Sequence, residues 1–234
     1  MGLLRELCGR PAHARRAEPL GPSAPWSGCA KPRLARRQAF LALAFLHSVS
    51  VEALERPLPK PTDAAYVEAR LLEALTEARL ALEFLERGIT RNAAGKAFQA
   101  WKALLAALLR LEAEKLKAAA KTEEERKWLE STAIPRVPTT KIVSLALKLE
   151  EAGHEGVAAW TSLALNLHDY QYHGPDPDMA LSKFRTREEA AEHVRKLAAE
   201  TARRAEALKN RLRWTEALQR ALEELRRALS SRNP

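Results

Sequence analysis

The chain has 234 residues, enough for one large or two small domains with a real core, and its nine glycines beside abundant Ala, Leu, Glu, Arg and Lys predict an all-α fold. Its net charge of +9 overstates any case for nucleic acid, because residues 1–37 hold eight Lys/Arg against two Glu, leaving the body at +3. Cys8 and Cys29 are the only cysteines, so the body needs no disulfide and offers no cysteine metal site.

Residues 1–37, with Pro11, Pro19, Pro22, Pro25 and Pro32 and no sustained apolar period, are expected to be disordered. Arg36 and Arg37 before the apolar run Ala39 to Leu46 imitate a signal peptide, but the run is too short to span a bilayer. Translation from near Val51 is the plainer expectation. The domain reading is therefore an extension at 1–55 and a helical domain at 56–234, in a protein expected to be cytoplasmic and free of membrane. The scarcity of Asn, Gln, Met and Cys beside Arg and Glu matches a thermophile composition.

PLPKP, from Pro57 to Pro61, reads as a stiff spacer. Thr62 is expected to cap a long first helix whose stripe of Ala64, Leu71, Leu75, Ala78, Leu82 and Leu85 must be buried. Gly88 should end it in the left-handed conformation and start a helical hairpin. The second helix, TRNAAGKAFQAWKALLAALLRLEAEKLKAAA, is the most apolar and is expected at the centre of the core. Phe98, Trp101, Leu105, Leu108 and Leu109 share one side, while Ala93, Ala94, Gly95 and Ala97 admit a neighbouring backbone.

KTEEERKW, Pro135 and Pro138 predict a short helix and an irregular loop. A third long helix from Thr139 or Thr140 to Gly153 faces inward with Ile142, Leu145, Ala146 and Leu149. A fourth, from about His154 to Tyr172, faces inward with Val157, Trp160, Leu163, Ala164 and Leu167, and Gly174 with Pro175 and Pro177 stops it. Thr186 and Glu189 form a capping box for a last, very long helix reaching about residue 232. Its pairs Glu192–Lys196, Glu200–Arg204 and Glu223–Arg227 support a solvated face, and Leu197, Leu208, Leu212, Trp214, Leu218, Leu222 and Leu225 give it an apolar one.

The helical hairpin containing RNAAGKAFQAWKALLAALL, followed by LHDYQYHGPDP, resembles the HEPN superfamily, and more closely its archaeal PaREP branch, the first PaREP family; the similar region covers about residues 55–200. The resemblance implies an up-and-down helical bundle like the substrate-binding domain of nucleotidyltransferases. It also implies kinship with RNases, toxins of toxin–antitoxin pairs, and nucleotide-binding domains, with a homodimer or a nucleotidyltransferase-like partner. Active members separate an Arg from a His by four to six intervening residues. His168 occupies the histidine position, but the places for the Arg hold Thr161, Ser162 and Leu163, which argues against metal-independent RNA cleavage.

Read on its own chemistry, His168 is either a general acid or base, since imidazole titrates near neutrality, or a ring bonded to a backbone carbonyl at a helix end. Asp169 and His173 have metal-chelating spacing but no third ligand, so no metal and no cofactor are expected. Tyr170 and Tyr172 either stack on bases or pack their rings with wet hydroxyls. Arg91, Asn92 and Lys96 crowd the start of the second helix, where a phosphate is favoured and where Asn92 could instead cap. Phosphate loops, dinucleotide fingerprints and zinc motifs are absent from the sequence. The leading expectation is a non-catalytic module binding RNA, a nucleotide or a partner protein through Arg91, Asn92, Lys96 and Tyr172; the alternatives are a divergent RNase or toxin using His168, and a purely structural partner protein.

Overall fold

Gly88 is the first place where local chemistry fixes the architecture. It takes the left-handed conformation at φ +71°. Its N–H bonds to the Leu85 carbonyl at 3.0 Å, and that of Ile89 to the Phe84 carbonyl at 2.9 Å, the paired bonds with which a glycine closes a helix. In the computed structural model, which describes residue 52 and residues 54–231, this turn joins α1 (Ala65–Glu86) to α2 (Thr90–Leu111) as a tight hairpin. The chain divides into units 1–41 and 42–234, and every described residue belongs to the second. The expected disorder of 1–37, the signal-like run and the start near Val51 lie outside the described residues.

Beyond the hairpin come α3 (Ala113–Ala118), α4 (Glu123–Trp128), a π-turn at Leu129–Ala133 running into one helical turn at Ile134–Arg136, and α5 (Ile142–Glu151). The chain continues with α6 (Val157–His173), α7 (Arg187–Ala207) and α8 (Glu216–Ser230). No strand occurs among the described residues, and the fold is an all-α bundle. α2 lies at its centre, packed against α1, α6 and α7, and buries Phe98, Trp101, Leu104, Leu105, Leu108 and Leu109. Removing each such side chain from water contributes ~1.5–3 kcal/mol. α6 runs antiparallel beside α2, as Arg91 meets Gln171, Phe98 meets His168 and Trp101 meets Thr161.

Several local expectations change. Thr62 does not cap α1, which starts from Ala64 without a side-chain cap, and Ala64 is exposed. The buried face of α1 is wider than one stripe and takes in Thr76, Glu77 and Arg79, because α2, α7 and α8 all pack on it. On α6, Trp160 and Leu163 are only half-buried. Thr161 takes the interior place because the fully buried Trp101 needs an acceptor: indole Nε1–H donates to Thr161 Oγ1 at 2.9 Å, and Thr161 donates to the Val157 carbonyl at 2.7 Å.

Thr186 caps α7 by accepting from the Glu189 N–H at 3.1 Å, while the Glu189 carboxylate accepts from the Arg185 N–H, one residue before the cap. α7 continues through a 3₁₀ turn at Lys209–Arg211, giving a long helix over residues 187–211, but it does not reach residue 232. Leu212 is extended, and Thr215 opens α8 by accepting from the Leu218 N–H and donating to Glu68 at 2.8 Å. α8 then folds back onto α1. Of the foreseen charge pairs, Glu192–Lys196 and Glu200–Arg204 form; Glu223 accepts from Gln219 instead, and Arg227 donates to the Glu223 carbonyl.

Candidate functional site

α2 starts without a side-chain cap. Ile89 holds the N-cap position, and Ala93 is the first residue whose N–H bonds into the helix, to the Ile89 carbonyl at 3.0 Å. The N–H groups of Thr90, Arg91 and Asn92 therefore have no intrahelical acceptor and carry the positive end of the helix dipole. Asn92 stands inside the first turn, so the capping role weighed for it is not taken, and its side chain is exposed.

The last turn of α6 lies beside this start. Arg91 Nε donates to the Gln171 carbonyl at 2.9 Å and Nη2 donates to the Tyr172 carbonyl, so the guanidinium satisfies carbonyls that the end of α6 leaves open. Gly174 turns the chain away at φ +74°, its N–H bonded to the Tyr170 carbonyl at 2.8 Å. Lys96 Nζ donates to Glu77 Oε1 at 3.0 Å. Burial pushes the Glu77 carboxyl above its ordinary range, and Lys96 draws it back.

Between these walls lies an open groove of about 460 Å³, lined by Phe84, Arg91, Asn92, Lys96, Gln99 and Gln171. Its floor is Gly95, where a Cβ would meet Gln171 Cδ at 2.7 Å; the missing methyl lets the Gln171 carboxamide lie on the α2 backbone. The side-chain carboxamides of Asn92, Gln99 and Gln171 have no hydrogen-bond partner among the described residues. Two other hollows, of 370 Å³ between residues 54–59 and α1 and of 310 Å³ among α1, α7 and α8, have mostly apolar walls, whereas the walls of this groove are mostly polar.

His168 does not line the groove. Its ring stacks on Phe98, centroids 4.2 Å apart and planes 24° from parallel, and meets the edge of Tyr172 at 5.2 Å. The buried Nδ1 has no hydrogen-bond partner among the described residues, where the backbone carbonyl bond weighed for this ring is not made. Neither an ion pair nor a hydrogen bond joins His168 to Arg91 or Lys96 among the described residues. Tyr172 is 60% exposed and enters the site through its carbonyl. Tyr170 is fully buried against Phe184, its hydroxyl has no hydrogen-bond partner among the described residues, and burial raises its pKa. Asp169 and His173 are exposed, and no group of three metal-ligating side chains converges among the described residues.

The sequence reading thus located Arg91, Asn92 and Lys96 but missed Phe84, Gln99 and Gln171. Gln99 and Gln171 carry one signal in the sequence, the rarity of carboxamides in this chain, and Phe84 carries none. It also missed a cluster at the far end of α2. There Glu112, 2% exposed, accepts from Arg211 at 2.6 Å and from Lys115 at 2.9 Å, and lies 3.0 Å from His154 Nε2. Burial works to raise its pKa, but the bonds from Lys115, Arg211 and His154 outweigh it and hold the carboxyl at about 2.

These features define an all-helical bundle protein with a ligand-sized polar groove at one end of its central hairpin. Within that class the chain belongs to the archaeal PaREP1/PaREP8 family, which matches residues 69–195, a stretch that contains the whole groove. No curated protein and no solved structure matches the chain. Among the described residues, no helix is long and apolar enough to cross a membrane.

Proposed function

We propose that the protein is a non-catalytic binding module of HEPN-like kind, whose groove between α2 and α6 takes a phosphate-bearing ligand, RNA or a nucleotide. The observation that carries this reading is the groove itself, where Arg91 and Lys96 line a mostly polar hollow at the start of α2. The cleavage alternative is weaker. His168 is stacked between rings rather than paired with a cation, and no Arg stands at the spacing that the RNases use. Homodimerisation and a nucleotidyltransferase-like partner belong to this proposal through the HEPN resemblance alone.

The test is to incubate the purified protein with mixed RNA and with nucleotides, comparing wild type, Lys96→Gln and His168→Ala. Binding without cleavage, weakened roughly tenfold by Lys96→Gln and by added salt but not by His168→Ala, supports the proposal. Cleavage that disappears in His168→Ala replaces it with the RNase reading. Neither binding nor cleavage leaves a structural protein.

A further inference from the structure

Resting on that reading, we infer that the groove selects adenine and that Gln171, laid across Gly95, is the residue that reads it. The whole chain contains only four Asn (92, 166, 210 and 233) and four Gln (38, 99, 171 and 219). Three of these eight, Asn92, Gln99 and Gln171, line this single groove, and none spends its side chain on a partner within the described residues. By contrast the chain holds 39 Lys and Arg and 30 Asp and Glu. A groove made to hold phosphate alone would need only cations.

The chemistry of these side chains narrows the ligand. A carboxamide presents an acceptor oxygen and a donor nitrogen side by side in one plane. Adenine presents the complementary donor and acceptor on one edge, through N6 and its neighbouring ring nitrogen, and Asn or Gln is its usual reader. On the edge that carries N7, guanine shows two adjacent acceptors, O6 and N7, which the oxygen and nitrogen of one carboxamide do not match together. Here Arg91 gives two of its donors to carbonyls of α6 and Lys96 pairs with Glu77, so among the groove's polar side chains the carboxamides are the ones that no described residue engages. The Phe84 ring adds an aromatic surface in the same wall, and stacking favours the larger purine over a pyrimidine.

Placement supports Gln171 as the reader. Asn92, Lys96 and Gln99 recur at helical spacing along one face of α2, with the cation between the two amides. Gln171 comes from the opposite wall, and any side chain at position 95 would displace it. The phosphate then sits toward the open N–H groups at the start of α2 and the base toward Gln99 and Gln171. Adenine can arrive as a free nucleotide or as an unpaired base in RNA, and both present the same edge.

The experiment measures binding of AMP, GMP, CMP and UMP, and of short oligo(A) and oligo(U), to wild type, Gln171→Ala and Gly95→Ala, with melting curves checking the fold. The expected result is a preference for AMP over the other nucleotides of about tenfold. Gln171→Ala removes that preference while weak binding of all four persists, and Gly95→Ala does the same by evicting the amide without touching its chemistry. Stronger binding of oligo(A) than of AMP identifies RNA as the source, and equal binding a free nucleotide. Equal affinity of the wild type for all four, or a preference that survives both variants, overturns the inference and leaves the binding reading intact. No binding of any nucleotide or oligonucleotide overturns both.

Discussion

The two ends of α2 solve opposite problems with similar residues. At its far end Glu112 is enclosed by Lys115, Arg211 and His154, and its oxygens are used up by partners within the protein. At its start Arg91 and Lys96 also bond to the fold, but three carboxamides have no partner among the described residues and three backbone N–H groups have no intrahelical acceptor. A buried polar group is tolerated when it is bonded, whereas a solvated cluster with spare bonding capacity beside a groove stands ready for a ligand. The contrast separates polar residues that hold the bundle from those that face outward, which charge counting alone does not do.

The largest expected effect comes from breaking the closed end. Glu112→Gln should lower unfolding free energy in urea by about 1–3 kcal/mol, since charge-assisted bonds to three donors are weakened at once. Its pH dependence sharpens the point. The folded carboxyl is held at about 2, below its ordinary 4.5, so its contribution is fully present above the ordinary value and is lost as pH falls through the folded one. The stability gap between wild type and Glu112→Gln should therefore shrink steadily on acid titration from about pH 5 to pH 2.

A smaller effect is expected where the open end still serves the fold. Arg91→Gln removes the guanidinium from the Gln171 and Tyr172 carbonyls and should cost about 1 kcal/mol, read as faster amide exchange confined to the last turn of α6. Least of all, Gln99→Ala should change thermal stability by less than about 0.5 kcal/mol, because its exposed amide bonds to nothing among the described residues. A Gln99→Ala loss as large as that of Glu112→Gln would erase the distinction between the two ends.

What was legible in the sequence was local. Gly88, the inward face of Ile142, Leu145, Ala146 and Leu149, and the Thr186–Glu189 cap each depend on residues within a turn or two, and each appears as read. The break between α7 and α8 was hidden because Arg211 reaches Glu112 and Thr215 reaches Glu68, partners 99 and 147 residues away. The groove was half visible for the same reason: Arg91, Asn92 and Lys96 share one helix start, but Gln171 joins them only because α6 packs antiparallel on Gly95. The surroundings of His168 were hidden in the same way, since they are set by Phe98, 70 residues away in the chain.

The long reach of Arg211 and Thr215 has a bearing on how the chain is made. The α1–α2 hairpin closes through neighbours and can form early, whereas contacts of large sequence separation come late. Until the connection before α8 has left the ribosome, Glu112 lacks its arginine and Glu68 its threonine hydroxyl. The nascent hairpin must therefore wait with one flank uncovered, and the arrival of α8 on α1 is the step that seals it.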